Sequence, residues 1–184
     1  MILVIRAIAF MLACAVVANA SQPFELKSTA FKTGALIPQQ YSYSGYGCVG
    51  KNLSPELSWH GAPEDTKSFA LTVFDPDARN GVGWWHWVVY NIPPDVQHLG
   101  AGAGSASGDL MSTQAVQARN DFQTIGYGGP CPPPGGGVHH YRFTVYALDT
   151  DLSGLSPLTS GPALITAMHG HILGKAELTG LFQR

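Results

Sequence analysis

The chain has 184 residues, long enough for one domain with its own core, and sets ten Lys and Arg against twelve Asp and Glu. A formal charge of −2, with the basic residues scattered along the chain, leaves no electrostatic footprint for nucleic acid or for an anionic membrane surface. Any anion the protein binds must be held by a local site.

In chain order, residues 1–20 read as an export signal: Arg6 supplies the positive start, an apolar run follows, and Ala18, Asn19 and Ala20 form a small-x-small cleavage site. Cleavage after Ala20 implies a periplasmic or secreted protein, and the run is too short to be a membrane span once that site is counted. A lipid-attached form through Cys14 is disfavoured, because Met11, Leu12 and Ala13 fit a lipoprotein site poorly. The remaining residues, 21–184, are expected to form a single domain.

Residues 31–41 read as a possible strand, and "NLSPELSW" at 52–59 as a turn leading into a short one. Residues 68–75 alternate, with Phe69, Leu71 and Val73 on one face, and 86–92 is rich in Val, Tyr and Ile. Both are predicted strands. The turn formers Pro76, Asn80, Gly81 and Gly83 between them predict an antiparallel pair, which places Asp75 and His86 at one sheet edge. Residues 99–108, rich in Gly, Ala and Ser, predict a loop, and "PCPPPGGG" at 130–137 excludes helix and central strand. At 138–148 the period of two sends His139, Tyr141, Phe143, Val145 and Ala147 to one face, with His140, Arg142 and Thr144 on the other. Pro162 followed by Leu164, Ile165, Met168 and Ile172 predicts a helix, which would also carry His169 and His171, and residues 176–182 a returning strand. The sum is a mainly β domain with a few short helices.

After signal removal only Cys48 and Cys131 remain, and an oxidising compartment favours joining them. A bridge closing so large a loop contributes on the order of 4 kcal/mol in the chain-entropy account. Two unpaired buried thiols are the alternative.

Asp75, Asp77, His86, His139 and Tyr141 form the constellation with chemical potential. Imidazoles at strand ends, walled by indole, can bind an anion through hydrogen bonds without much net charge, while carboxylates fix which ring nitrogen carries hydrogen. Backbone amides of 128–131 are expected to add donors. Each residue also has a structural explanation: the aspartates flanking Pro76 suit a turn, and Trp84, Trp85 and Trp87 suit packing. Two histidines and a carboxylate raise the question of a metal, but the spacing matches no helical HExxH and no strand His-x-His facing one way, so neither metal nor cofactor is expected. A serine hydrolase lacks its nucleophile elbow.

Six blocks in order, "CVGKNLSPELSW" (48–59), "KSFALTVFDPDA" (67–78), "GWWHWVVYNIP" (83–93), "RNDF" (119–122), "GYGGPCPP" (126–133) and "HHYRFTVYALD" (139–149), resemble the phosphatidylethanolamine-binding proteins, also called Raf kinase inhibitor-like proteins, of the bacterial YbhB/YbcL type. The resemblance implies a Greek-key pair of antiparallel sheets. It also implies a small end pocket for phosphate-like or carboxylate groups, phospholipid headgroups among them. Carried over residue by residue, that pocket comprises Asp75, Asp77, Trp84, His86, Gly129, Pro130, His139 and Tyr141. A homodimer and modulation of a partner protein are further implications, whereas an exported chain does not meet an intracellular kinase. The alternative function is a small exported hydrolase or other enzyme using His and Asp as acid and base in the same pocket. One departure stands out: the family's Asp-Pro-Asp-Ala-Pro ends here in Arg79, so a trans bond and a reshaped rim are expected there.

Overall fold

The computed structural model describes residues 22–105 and 114–184. The export segment at 1–20 and the last part of the predicted 99–108 loop lie outside the described residues. The described residues form strands β1 (Glu25–Lys27), β2 (Ser44–Gly45), β3 (Cys48–Val49), β4 (Leu57–His60), β5 (Ser68–Asp75), β6 (Trp84–Ile92), β7 (His98–Leu99), β8 (Val116–Gln117), β9 (His139–Leu148) and β10 (Ile172–Phe182), a 3-10 turn (Gln39–Tyr41), and helices α1 (Ala78–Gly81) and α2 (Gly161–Ala167).

The main sheet has the order β10-β9-β5-β6-β8 and faces a smaller sheet, β1-β4-β7. Its pairings are all antiparallel. Because β9 returns to the free side of β5, the strands β5, β6, β8 and β9 take the spatial order of a Greek key. The alternation in β5 explains its central place: Phe69, Leu71 and Val73 enter the core between the sheets, while Ala70 joins Val88, Tyr90, Leu148 and Leu164 in a second core on the outer face. On β9, Tyr141, Phe143, Val145 and Ala147 face the inner core, as the period of two predicts.

Strand β6 does not keep a simple alternation. Its register against β5 passes from Val73 with Trp87 to Phe74 with Trp85, so His86 is an extra residue in a β-bulge. The bulge puts consecutive residues on the inner side: His86 packs edge-on to Tyr141 with ring centroids 5.1 Å apart, and Trp87 enters the inner core. Trp85 goes outward against Phe74.

Helix α2 begins at a Ser160 cap, with the hydroxyl accepting from the Ala163 amide, and Pro162 occupies its first turn. It buries Leu164 and Met168 on the outer core. The helix stops at Ala167, well short of the predicted Ile172, because Gly170 (φ 84°) turns the chain and Ile172 opens β10. His169 and His171 therefore sit in a turn, where His171 Nδ1 lies 2.8 Å from Asp149 Oδ1. The strand predicted at 31–41 is also corrected. Gly34, in a left-handed conformation, and Pro38 interrupt it, and the segment runs irregularly beside β10, with the Ile37 amide donating to the Leu181 carbonyl at 2.7 Å. Among the described residues, no helix is long and apolar enough to cross a membrane.

Cys48 and Cys131 are joined, with Cα atoms 5.9 Å apart. The bridge ties the β2–β3 hairpin to the Pro- and Gly-rich loop before β9.

Candidate functional site

At the end of the main sheet where β5 stops and β6 and β9 begin, the inner face opens into a cavity of about 630 Å³. That volume is within the range of small-molecule sites. Asp75, Asp77, Trp84, His86, His139 and Tyr141 all line it, so residues as far apart in the chain as Asp75 and Tyr141 converge. The convergence follows from chain direction: antiparallel pairing brings the end of β5 beside the starts of its two neighbours.

Asp75 organises the site. One carboxylate oxygen accepts from the amides of Asp77 (2.9 Å) and Ala78 (3.2 Å), closing the turn, and the other lies 2.7 Å from His139 Nδ1. A carboxylate accepts, so the hydrogen is on His139 Nδ1. Asp77 performs the same service next door. Its Oδ2 accepts from the His140 amide at 2.7 Å and lies 2.9 Å from His140 Nδ1. Partial desolvation pushes the Asp77 pKa up, but the amide and ring of His140, with the charge of His139, outweigh it and hold the group below its usual value.

His86 is held by a different partner. Its Nδ1 lies 2.6 Å from the Gly128 carbonyl oxygen, and its ring is edge-on to Phe122 as well as Tyr141. Burial lowers its pKa, against the raising influence of the Gly128 carbonyl and of Asp75, so the ring is biased to the neutral form. Among the described residues the buried Trp84 indole nitrogen has no hydrogen-bond partner, and the buried Tyr141 hydroxyl has none of good geometry, although the Asp75 carboxylate is near enough to influence it. Desolvation, and then the nearby charge of Asp75, raise the Tyr141 pKa strongly, so it remains a neutral phenol.

Gly129 and Pro130 are outside the set of residues that line the cavity. The Gly129 amide donates to Asn52 Oδ1 at 2.7 Å, the Pro130 carbonyl accepts from the Tyr43 amide at 3.0 Å, and the Gly128 amide donates to the His86 carbonyl at 2.8 Å. For Gly128 and Gly129 the expectation that their amides offer donors to a ligand is corrected, since both are already spent, and Pro130 has no amide hydrogen to offer. Glycine is required at 129 for another reason: a Cβ there would collide with the backbone of residues 41–43. Of the three tryptophans in β6 only Trp84 lines the cavity. Trp87 is fully buried, its indole N–H donating to Gln117 Oε1 at 2.8 Å.

Other lining residues come from segments without periodicity: Tyr46 in the hairpin, Asp121 and Phe122, and Cys131 to Pro133. Phe122 stacks on Tyr43 with centroids 4.3 Å apart and meets Trp84 edge-on. The Asp121 carboxylate accepts from the Trp85 amide at 2.9 Å. The "RNDF" block was the signal available for this wall. Arg79 also lines the cavity, its guanidinium carbon 5.9 Å from the Trp84 ring centroid. No described peptide bond is cis. The turn is made instead by two left-handed residues, Arg79 (φ 51°, ψ 46°) and Asn80 (φ 57°, ψ 40°), a conformation that costs a non-glycine residue roughly 1–2 kcal/mol. Among the described residues, no three His, Cys, Asp or Glu side chains are grouped to hold a metal ion.

Residues 27–183 match the sequence family described as phosphatidylethanolamine-binding protein. The chain belongs to this family. Within it, the protein YbcL of Escherichia coli is 45% identical over 160 residues, covering 87% of each chain, and YbhB of the same organism is 40% identical over 158, covering 86% of this chain and 99% of that one. The crystal structure of E. coli YbcL, described as a new member of the mammalian family, superposes with a TM-score of 0.84 at 45% identity, over 88% of this chain and 98% of that one. A Plasmodium vivax phosphatidylethanolamine-binding protein, at 15% identity and a TM-score of 0.52, covering 90% and 88%, shares the fold.

Proposed function

We propose that this is an exported, non-catalytic binding protein whose cavity takes a phosphate-like or carboxylate group, from a phospholipid headgroup or a small phospho-ligand. Such binding would modulate a partner protein. Export rests on the leader at 1–20. The observation that carries the binding reading is the shared cavity itself. Two imidazoles, each with one nitrogen committed to a protein partner, border it together with an indole, a phenol and one guanidinium.

An enzymatic reading is favoured by the buried Asp75–His139 pair, which has the geometry of an oriented acid or base. Against it, no described Ser, Thr or Lys lines the cavity, and the Cys131 there is bridged. Titration with inorganic phosphate and phosphoethanolamine, followed through the histidine ring signals, decides the matter. Saturable shifts at His86 and His139 without turnover are expected. Turnover abolished by His86→Ala would establish the enzyme instead, and ring signals that ignore both ligands would refute the site.

A further inference from the structure

The form of ligand that the cavity selects can be derived from its polar groups, given its reading as a phosphate-type site. A carbonyl oxygen can only accept, so the 2.6 Å contact with Gly128 requires the hydrogen of His86 to be on Nδ1. The side chain is buried, its contact at Nδ1 is uncharged, and it borders the cavity. In the neutral ring the second nitrogen, Nε2, then carries a lone pair, and no donor among the described residues hydrogen-bonds to it. His86 thus presents an acceptor to whatever enters.

Arg79 presents the opposite. Its guanidinium has donors only, and it forms no ion pair among the described residues although Asp75, Asp77 and Asp121 border the same cavity. The cavity consequently has a donor pole at Arg79 and an acceptor pole at His86. A tetrahedral anion without hydrogen suits the first and sets lone pair against lone pair at the second. An anion that keeps one acidic O–H suits both, with the O–H donating to Nε2 and the charged oxygens accepting from Arg79.

We propose that the cavity selects phosphate that retains an acidic hydrogen, as the inorganic ion or a monoester, over phosphodiesters and sulfate, with His86 Nε2 reading that hydrogen and Arg79 holding the charge. Sites that read a hydrogen with a buried polar group discriminate strongly, because the wrong ligand leaves that group unpaired. The monoester would be a small soluble molecule, whereas a headgroup within a phospholipid is a diester.

The test titrates the protein with inorganic phosphate, methyl phosphate, dimethyl phosphate and sulfate at about pH 6, where a monoester still holds its second proton on a large fraction of molecules. Calorimetry and the His86 and His139 ring signals are read together. Phosphate and methyl phosphate are expected to bind roughly ten times or more tightly than sulfate and dimethyl phosphate. Saturation by all four with affinities within about threefold would overturn the selectivity and leave the site reading intact. Signals unmoved by any of them would remove the site and the selectivity together. Arg79→Gln is expected to weaken phosphate about tenfold while preserving the phosphate to sulfate ratio, as loss of a charge-assisted contact should. His86→Gln, whose amide can turn a donor inward, is expected to bring that ratio close to one; the ligand series on the unaltered protein stands even if this variant does not fold.

Discussion

Adjacent histidines at the start of β9 are each held by an aspartate, one at the end of β5 and one in the turn after it, yet the two pairs occupy different environments. In Asp75–His139 the side chains are 3% and 8% exposed, and in Asp77–His140 they are 40% and 52% exposed. The contact distances, 2.7 and 2.9 Å, are nearly the same. What differs is the medium: the inner pair is shielded from water and shares its carboxylate with two backbone amides, whereas the outer pair is screened. Similar geometry therefore carries unequal energetic weight. The inner pair is a structural keystone of the cavity, and the outer one is a strut.

The largest test of that contrast is Asp75→Ala, which leaves a buried imidazole and two amides without their acceptor. It should cost about 3–5 kcal/mol in urea unfolding, as removal of one partner from a buried pair does. Loss of less than about 1 kcal/mol would place the two pairs on an equal footing.

A second test uses His86, the buried ring with no carboxylate partner. Its folded pKa is depressed by desolvation, so the unfolded chain takes up its proton first as the solution is acidified. The stabilisation it contributes is complete above its ordinary value of 6.5 and is lost as pH falls below that, until the folded ring itself protonates. The urea midpoint should decline between about pH 7 and 5, and decline less in His86→Gln. Parallel curves for the two proteins would contradict the assignment of a buried neutral ring.

The smallest effect belongs to Asp77→Ala, expected to cost about 0–1 kcal/mol at neutral pH because its partner is exposed. Its folded pKa is depressed, so whatever stability it adds is present above 3.8 and disappears as pH falls through the lower folded value. The difference between the two proteins should therefore vanish in strong acid.

Much of this arrangement was legible in the chain. The alternation of Phe69, Leu71 and Val73, and of His139 to Ala147, fixes which face turns inward, and antiparallel pairing then carries Asp75 and His139 to one edge. The Cys48–Cys131 pairing followed from elimination and compartment. Three things were not legible. The bulge at His86 depends on pairing with β5, and nothing in "WWHW" marks which residue is extra. The Asp121–Phe122 wall lies on a segment without period, placed only by its contacts with Tyr43 and Trp85. The backbone contacts of Gly129 with Asn52 and of Pro130 with Tyr43 join segments far apart in the chain, and neither composition nor periodicity marks such a pairing.

The extra residue in β6 has a further consequence. It acts as a phase slip, so the strand's first residues and its remainder are addressed separately to the two sides of the sheet. Removing that extra residue, His86, would leave Trp85 opposite Phe74, Trp84 opposite Asp75, and Trp87 and Val89 in place, so that only the imidazole is lost from the mouth. One scaffold can thus be refitted at its mouth by small changes in length, with the interior beneath undisturbed.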